Sequence, residues 1–139
     1  MAVVVFDADV LIAYLNREDA QHSAALDRMR RSLQPGTRRF VSAVNYTEVL
    51  VGPLRTAGSA GGETIDAMFA RFGIETIQVD MDLAGRAAVV RARTNLKLPD
   101  AYAVATAIHA AKRGLDDVRL ESFDDMVMKA YAELGHDAA

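Results

Sequence analysis

The sequence predicts an α/β domain in which short parallel strands lie between helices. Val3-Val4-Val5-Phe6 is wholly apolar and β-branched for most of its length, the pattern of a strand covered on both faces. Segments with apolar residues at helical spacing follow it, and each gives way to another short strand-like run. The chain has 139 residues, 51% hydrophobic and 25% charged. That length is one domain's, spanning residues 1–139, and the composition excludes disordered, collagen-like and low-complexity chains.

After the first strand, Val10, Leu11, Tyr14 and Leu15 recur at helical spacing. A second helix is expected from about Asp19, with Ala25, Leu26, Met29 and Leu33 on one side and Pro35-Gly36 as its stop. Arg39-Phe40-Val41 reads as a strand, and Ser42 as the N-cap of a helix from Ala43 to about Val51, ended by Gly52-Pro53. The small-residue stretch Thr56 to Gly62 reads as a loop inside the domain. Ile65, Met68, Phe69 and Phe72 mark a helix, Ile74 to Val79 a strand, and Asp82 to Thr94 a helix with Leu83, Ala87 and Val90 inward. Pro99 fits the first turn of a long Ala-rich helix running to about Arg113 and closed by Gly114. Val118-Arg119-Leu120 is a weak strand, and Met126 to Leu134 a final helix.

There is no cysteine, which removes disulfides, zinc ribbons, iron–sulfur clusters and thiol nucleophiles, and fits a reducing compartment. The apolar opening lacks a basic leader and carries Asp7 and Asp9 at its centre, so it reads as core rather than signal peptide, and a cytoplasmic protein is expected. No apolar run is long enough to span a membrane. The net charge of −3 argues against a broad basic surface for sequence-blind nucleic-acid binding, though not against a nucleic-acid enzyme.

Ligands of parallel sheets sit beyond the carboxyl ends of the strands, and that is where acids appear. Asp7 directly follows the first strand, as a ligand or as an N-cap. Glu48 lies in a short, mostly apolar helix, where an exposed-face role is the plain alternative. Asp100 falls in a first helical turn, where the helix dipole stabilises a carboxylate by about 0.3–1 kcal/mol. Asp124 follows the last strand, with a turn or cap role as its default. Four ionised carboxylates in one cleft make six repulsive pairs, each about 4 kcal/mol at about 4 Å and an effective dielectric of about 20. Such a cluster needs a cation. All-oxygen donors favour Mg²⁺ or Mn²⁺ over Zn²⁺, and such ions commonly serve phosphate chemistry through an activated water.

These segments together, Val5 to Ala13, Val41 to Leu50, Leu98-Pro99-Asp100-Ala101 with its helix, and Glu121-Ser122-Phe123-Asp124, resemble PIN-domain ribonucleases, and more closely the VapC-type toxins of bacterial VapBC toxin–antitoxin pairs. The resemblance implies a three-layer fold with a central parallel sheet of four or five short strands and helices on both faces. It implies an Mg²⁺- or Mn²⁺-dependent endoribonuclease in which Asp7, Glu48, Asp100 and Asp124 hold the cation and direct water at an RNA phosphodiester, with Ser122 as a small hydroxyl beside them. It further implies a VapB-like antitoxin partner. A homodimer is also expected, with the apolar surface of the early helices, including Tyr14 and Leu15, serving dimerisation and antitoxin binding. Asp9 stands where the family often has Ser, Thr or Asn; a fifth carboxylate or a cap of the first helix are the two readings, with capping preferred. Asp125, adjacent to Asp124, and Asp116-Asp117, before the strand, leave the last acid ambiguous.

Two other readings compete. Strand-Asp7-Ala8-Asp9 also resembles haloacid dehalogenase-type phosphatases with Asp7 as nucleophile, although the chain is short for that fold and Glu48 and Leu98-Pro99-Asp100-Ala101 would go unexplained. A non-catalytic module binding a basic partner peptide is the other. Arg28, Arg30 and Arg31 read as a solvated helix face. Arg91, Arg93 and Lys97 are weak candidates for RNA backbone contact because they approach Asp100 in sequence. His22, His109 and His136 share no ligand spacing. With the four proposed site acids set aside, the net charge turns from −3 to +1, so the acidity belongs to a pocket rather than to the surface.

Overall fold

The structure is a computed structural model, and it describes residues 1–137. Strands β1 (Ala2–Phe6), β2 (Thr37–Ser42), β3 (Ile74–Ile77) and β4 (Val118–Glu121) form one sheet in the order β3-β2-β1-β4. Every pairing is parallel, with Val4 opposite Arg39 on one side and Arg119 on the other, and Arg39 opposite Ile74. The helices are α1 (Ala8–Leu15), α2 (His22–Ser32), α3 (Ala43–Ala57), α4 (Ser59–Phe72), α5 (Met81–Arg93), α6 (Leu98–Lys112) and α7 (Asp125–Asp137). The side chain of His136 lies outside those described.

The central strand explains the two-sided core. Val3 and Val5 face one cluster with Leu83, Ala87, Val90, Val104 and Val127 from α5, α6 and α7. Val4 and Phe6 face the other, with Val10, Leu11, Met29, Val49, Ile65 and Phe69 from α1 to α4. Alternate residues of a strand point to opposite faces, so a wholly apolar run is what a doubly covered strand requires. In α6, Ala101, Ala103, Val104, Ala105 and Ala107 are all fully buried, which identifies a helix enclosed on nearly every side.

The structure corrects the expected boundaries in three places. First, α3 passes through Gly52-Pro53 to Ala57, and Gly58 alone, at φ 58°, turns the chain into α4. The stretch Thr56 to Gly62 is therefore the tip of a helical hairpin rather than a loop. Its small residues serve close packing, since a Cβ on Gly61 would stand 2.1 Å from the Pro53 carbonyl oxygen. Second, α2 starts at His22 rather than near Asp19. The Asn16 and Asp19 carboxamide and carboxylate oxygens accept backbone N–H groups two residues on, at 3.1 and 2.8 Å, turns that compete with helix. Third, β3 stops at Ile77, and the sheet has four strands among the described residues. No helix of the described residues is long and apolar enough to cross a membrane.

Candidate metal centre

Asp7 leaves β1 as the N-cap of α1, where Oδ1 accepts the Ala8 N–H at 2.8 Å. Its Oδ2 accepts the Ser122 hydroxyl at 2.8 Å. Asp7 thus caps a helix while lying at the strand end, only 3% exposed. Asp9, two residues further and in the first turn of α1, is not the cap. Its Oδ2 reaches across to accept the Phe123 N–H at 2.9 Å and the Ser122 hydroxyl at 3.3 Å. The preferred capping role for Asp9 fails because Asp7 already occupies the cap position.

Glu48 is half-buried on α3 and is held by Asn45. The Asn45 Nδ2 donates to Glu48 Oε1 at 2.9 Å and to the Pro99 carbonyl at 3.0 Å. Asn45 Oδ1 in turn accepts the Ser42 hydroxyl at 2.7 Å, while Ser42 caps α3. Asn45 therefore ties the helix of Glu48 to the helix of Asp100, a role the sequence reading missed. A signal was present: Ser42, Asn45 and Glu48 are spaced by three, which stacks them on one helical face. Asp124 accepts the Met126 and Val127 N–H groups at 2.8 and 3.3 Å and so caps α7. Asp125 is exposed in the first turn of α7. Asp116 and Asp117 precede β4, at the opposite end of the sheet, where the Asp117 carbonyl accepts the Val3 N–H.

The acids feel one another. Burial, then the neighbouring Asp9 and Asp100, raise the Asp7 carboxyl from 3.8 to about 7, against the opposing bonds from Ser122 and Ala8. Burial and the Asp124 charge raise Asp9, while its bonds to Phe123, Val10 and Ser122 pull it back. Burial, Asp100 and Asp9 raise Glu48 against the Asn45 bond, and burial and Asp124 raise Asp100 against Lys97. Asp7, Asp9, Glu48, Asp100 and Asp124 are thus one electrostatic cluster.

Among the described residues, no three acidic or histidine side chains stand close enough to hold a cation as they are placed; oxygens of Asp7, Asp9 and Glu48 are engaged instead with Ser122, Asn45 and backbone amides. The donor set nevertheless fits a hard divalent ion. Asp9 Oδ1 is buried without a hydrogen-bond partner, a costly state for a carboxylate oxygen that cation coordination relieves.

Of the basic candidates, Lys97 occupies the N-cap position of α6 and bears on Asp100. Arg91 donates to the Leu96 carbonyl at 2.8 Å and so braces the α5–α6 turn, and Arg93 lies exposed near the end of α5. Arg28 departs from the solvated-face expectation: its Nη1 stands 2.5 Å from Glu121 Oε2, and its guanidinium lies 5.0 Å above the Phe123 ring. His22 Nδ1 hydrogen-bonds the Ala13 carbonyl at 2.8 Å, and His109 meets Arg86 at 3.2 Å; neither is at the acids.

A four-stranded parallel sheet with a carboxylate cluster beyond its carboxyl ends defines an α/β domain built around an acidic centre. The PIN domain family model matches residues 4–133, and the chain belongs to that family. The haloacid dehalogenase reading falls with this match. Among solved structures, the chain is similar to Mycobacterium tuberculosis VapC20, a sarcin-ricin loop cleaving toxin, at 22% identity and TM-score 0.69, over 91% of this chain and 94% of that one. It is similar to a toxin–antitoxin complex from Klebsiella pneumoniae at 25% identity and TM-score 0.56, over 84% and 95%. VapBC2 from Rickettsia felis, bound to a promoter DNA fragment, follows at 14% identity and TM-score 0.55, over 88% and 99%. No curated protein matches the chain.

Proposed function

We propose that this protein is an Mg²⁺- or Mn²⁺-dependent endoribonuclease, the toxin half of a VapBC-type toxin–antitoxin pair acting in the cytoplasm. The observation that carries the reading is that acids from separate elements are held toward the carboxyl end of the sheet by shared partners: Ser122 bonds both Asp7 and Asp9, and Asn45 ties Glu48 on α3 to the start of α6, where Asp100 lies. A set of buried like charges costs stability unless an opposite charge balances it, and such perturbed acids cluster at functional sites. The likeness to a toxin–antitoxin complex supports the pairing, with a VapB-like antitoxin as partner and a homodimer as the working form.

Asp7, Glu48, Asp100 and Asp124 would hold the ion, with Asp9 Oδ1 as a further donor. When bound, a divalent ion supplies an activated water and neutralises charge on the phosphoryl oxygens. The chain's own groups do the rest. Ser122 fixes the facing oxygens of Asp7 and Asp9, Asn45 fixes Glu48, and the α6 N-terminus offers its positive end to the scissile phosphate. Lys97, with Arg91 and Arg93 further along, is assigned to the RNA backbone.

Incubating the purified chain with an unstructured RNA tests this reading. Cleavage should require Mg²⁺ or Mn²⁺, stop in EDTA and disappear in Asp100→Asn, while p-nitrophenyl phosphate stays intact. An Asp100→Asn variant that cuts RNA like the wild type, or a wild type that binds Mn²⁺ and cuts no RNA, would favour a module that only holds a basic partner.

A further inference from the structure

We infer that Arg28, on α2 and remote from the acids in sequence, is a positioning residue for the carboxylate centre; this rests on the cation reading above. The segment Glu121-Ser122-Phe123 serves the centre with each of its three residues. The Glu121 carbonyl accepts the Asp7 N–H at 2.9 Å. The Ser122 hydroxyl lies between Asp7 Oδ2 and Asp9 Oδ2, at 2.8 and 3.3 Å, and accepts the Asp124 N–H at 3.1 Å. The Phe123 N–H donates to Asp9 Oδ2 at 2.9 Å. Three of the five acids are therefore aimed by one tripeptide.

Arg28 grips that tripeptide at both ends. It pairs with Glu121, whose side chain is only 9% exposed, and covers the Phe123 ring. The second Glu121 oxygen meets Arg119 Nε at 3.0 Å, so the carboxylate is fixed on both sides. A planar guanidinium is suited to this double task, because it pairs through its edge and stacks through its face. Lys keeps only the first contact. Groups that orient the ligands of an ion, without touching it, change affinity or activity by about 10–100-fold when removed.

The test compares wild type, Arg28→Met and Arg28→Lys in two measurements. Free Mn²⁺ is followed by its paramagnetic resonance signal during titration, and amide hydrogen exchange is read in EDTA by NMR. Arg28→Met should bind Mn²⁺ about tenfold more weakly and exchange the Phe123 and Asp124 amides faster, with Leu83 and Val104 on the other sheet face unchanged. Arg28→Lys should recover part of both losses. Wild-type Mn²⁺ affinity and Phe123 protection in Arg28→Met would overturn the inference, as would exchange accelerated evenly across the whole core in both variants. If the wild type itself takes up no Mn²⁺, the cation reading fails, while the exchange data still decide whether Arg28 holds the tripeptide.

Discussion

Replacing Asp7 by Asn should make the cation-free protein more stable at neutral and alkaline pH, although it removes a proposed catalytic group. The Asp7 carboxyl is raised from 3.8 to about 7, chiefly by burial. A folded-state value above the unfolded one means that the native protein holds the extra proton between the two, so its stability falls as pH rises through that window. From 3.8 to about 7, at about 1.36 kcal/mol per pH unit, the loss is about 4 kcal/mol once the carboxyl is ionised in both states. With 3% of the residue exposed, water relieves little of it. Asn keeps the cap and the bond from Ala8 without the charge. The chain has no Trp, so urea unfolding is followed by far-ultraviolet circular dichroism in EDTA. Asp7→Asn should exceed the wild type by about 3–4 kcal/mol near pH 8, and by only about 1–2 kcal/mol near pH 5. Added Mn²⁺ should stabilise the wild type by mass action and the variant less. A wild type as stable as Asp7→Asn in EDTA near pH 8 would refute the reasoning.

Removing the Asn45 bridge in Asn45→Ala leaves Glu48 and the Pro99 carbonyl short of a donor; a loss of about 2 kcal/mol is expected, read in the same unfolding assay, together with weaker Mn²⁺ binding by titration. Ser122→Ala removes a bond that lowers Asp7, so the pH midpoint of Mn²⁺ binding should move upward, and an unmoved midpoint would contradict the assigned contact. Gly61→Ala forces a methyl group against the Pro53 carbonyl and should cost about 1–3 kcal/mol, with thermal melting as the check and a neutral result as the contradiction.

The parts of the fold legible in the sequence were those in which one local pattern dominates. Val3 to Phe6 is apolar on both faces, and its strand is buried on both. Ser42 was an expected cap and is one. The α3–α4 hairpin was hidden because Gly and Pro signal breaks locally, whereas Gly61 is there to let two helices touch, a tertiary demand invisible in a window of sequence. Asp9 misled for a related reason: its position beside a helix start fits a cap, but its partner, the Phe123 amide, comes from the far end of the chain. Arg28 was masked by Arg30 and Arg31, which share its local pattern and not its neighbour Glu121. The four acids of the family resemblance stood out in the sequence as a set, one at each of four junctions of strands and helices, rather than singly: Asp7 and Asp124 also cap helices, and a cap and a ligand have the same local pattern.

The most direct measurement is Mn²⁺ occupancy and RNA cleavage followed in one sample across a titration of free Mn²⁺, with wild type and Glu48→Gln side by side. Cleavage should rise with occupancy in the wild type, and Glu48→Gln should shift both curves to higher Mn²⁺ together. Cleavage that persists in EDTA, or a Glu48→Gln variant that loses Mn²⁺ binding while cutting RNA at the wild-type rate, would contradict the cation reading.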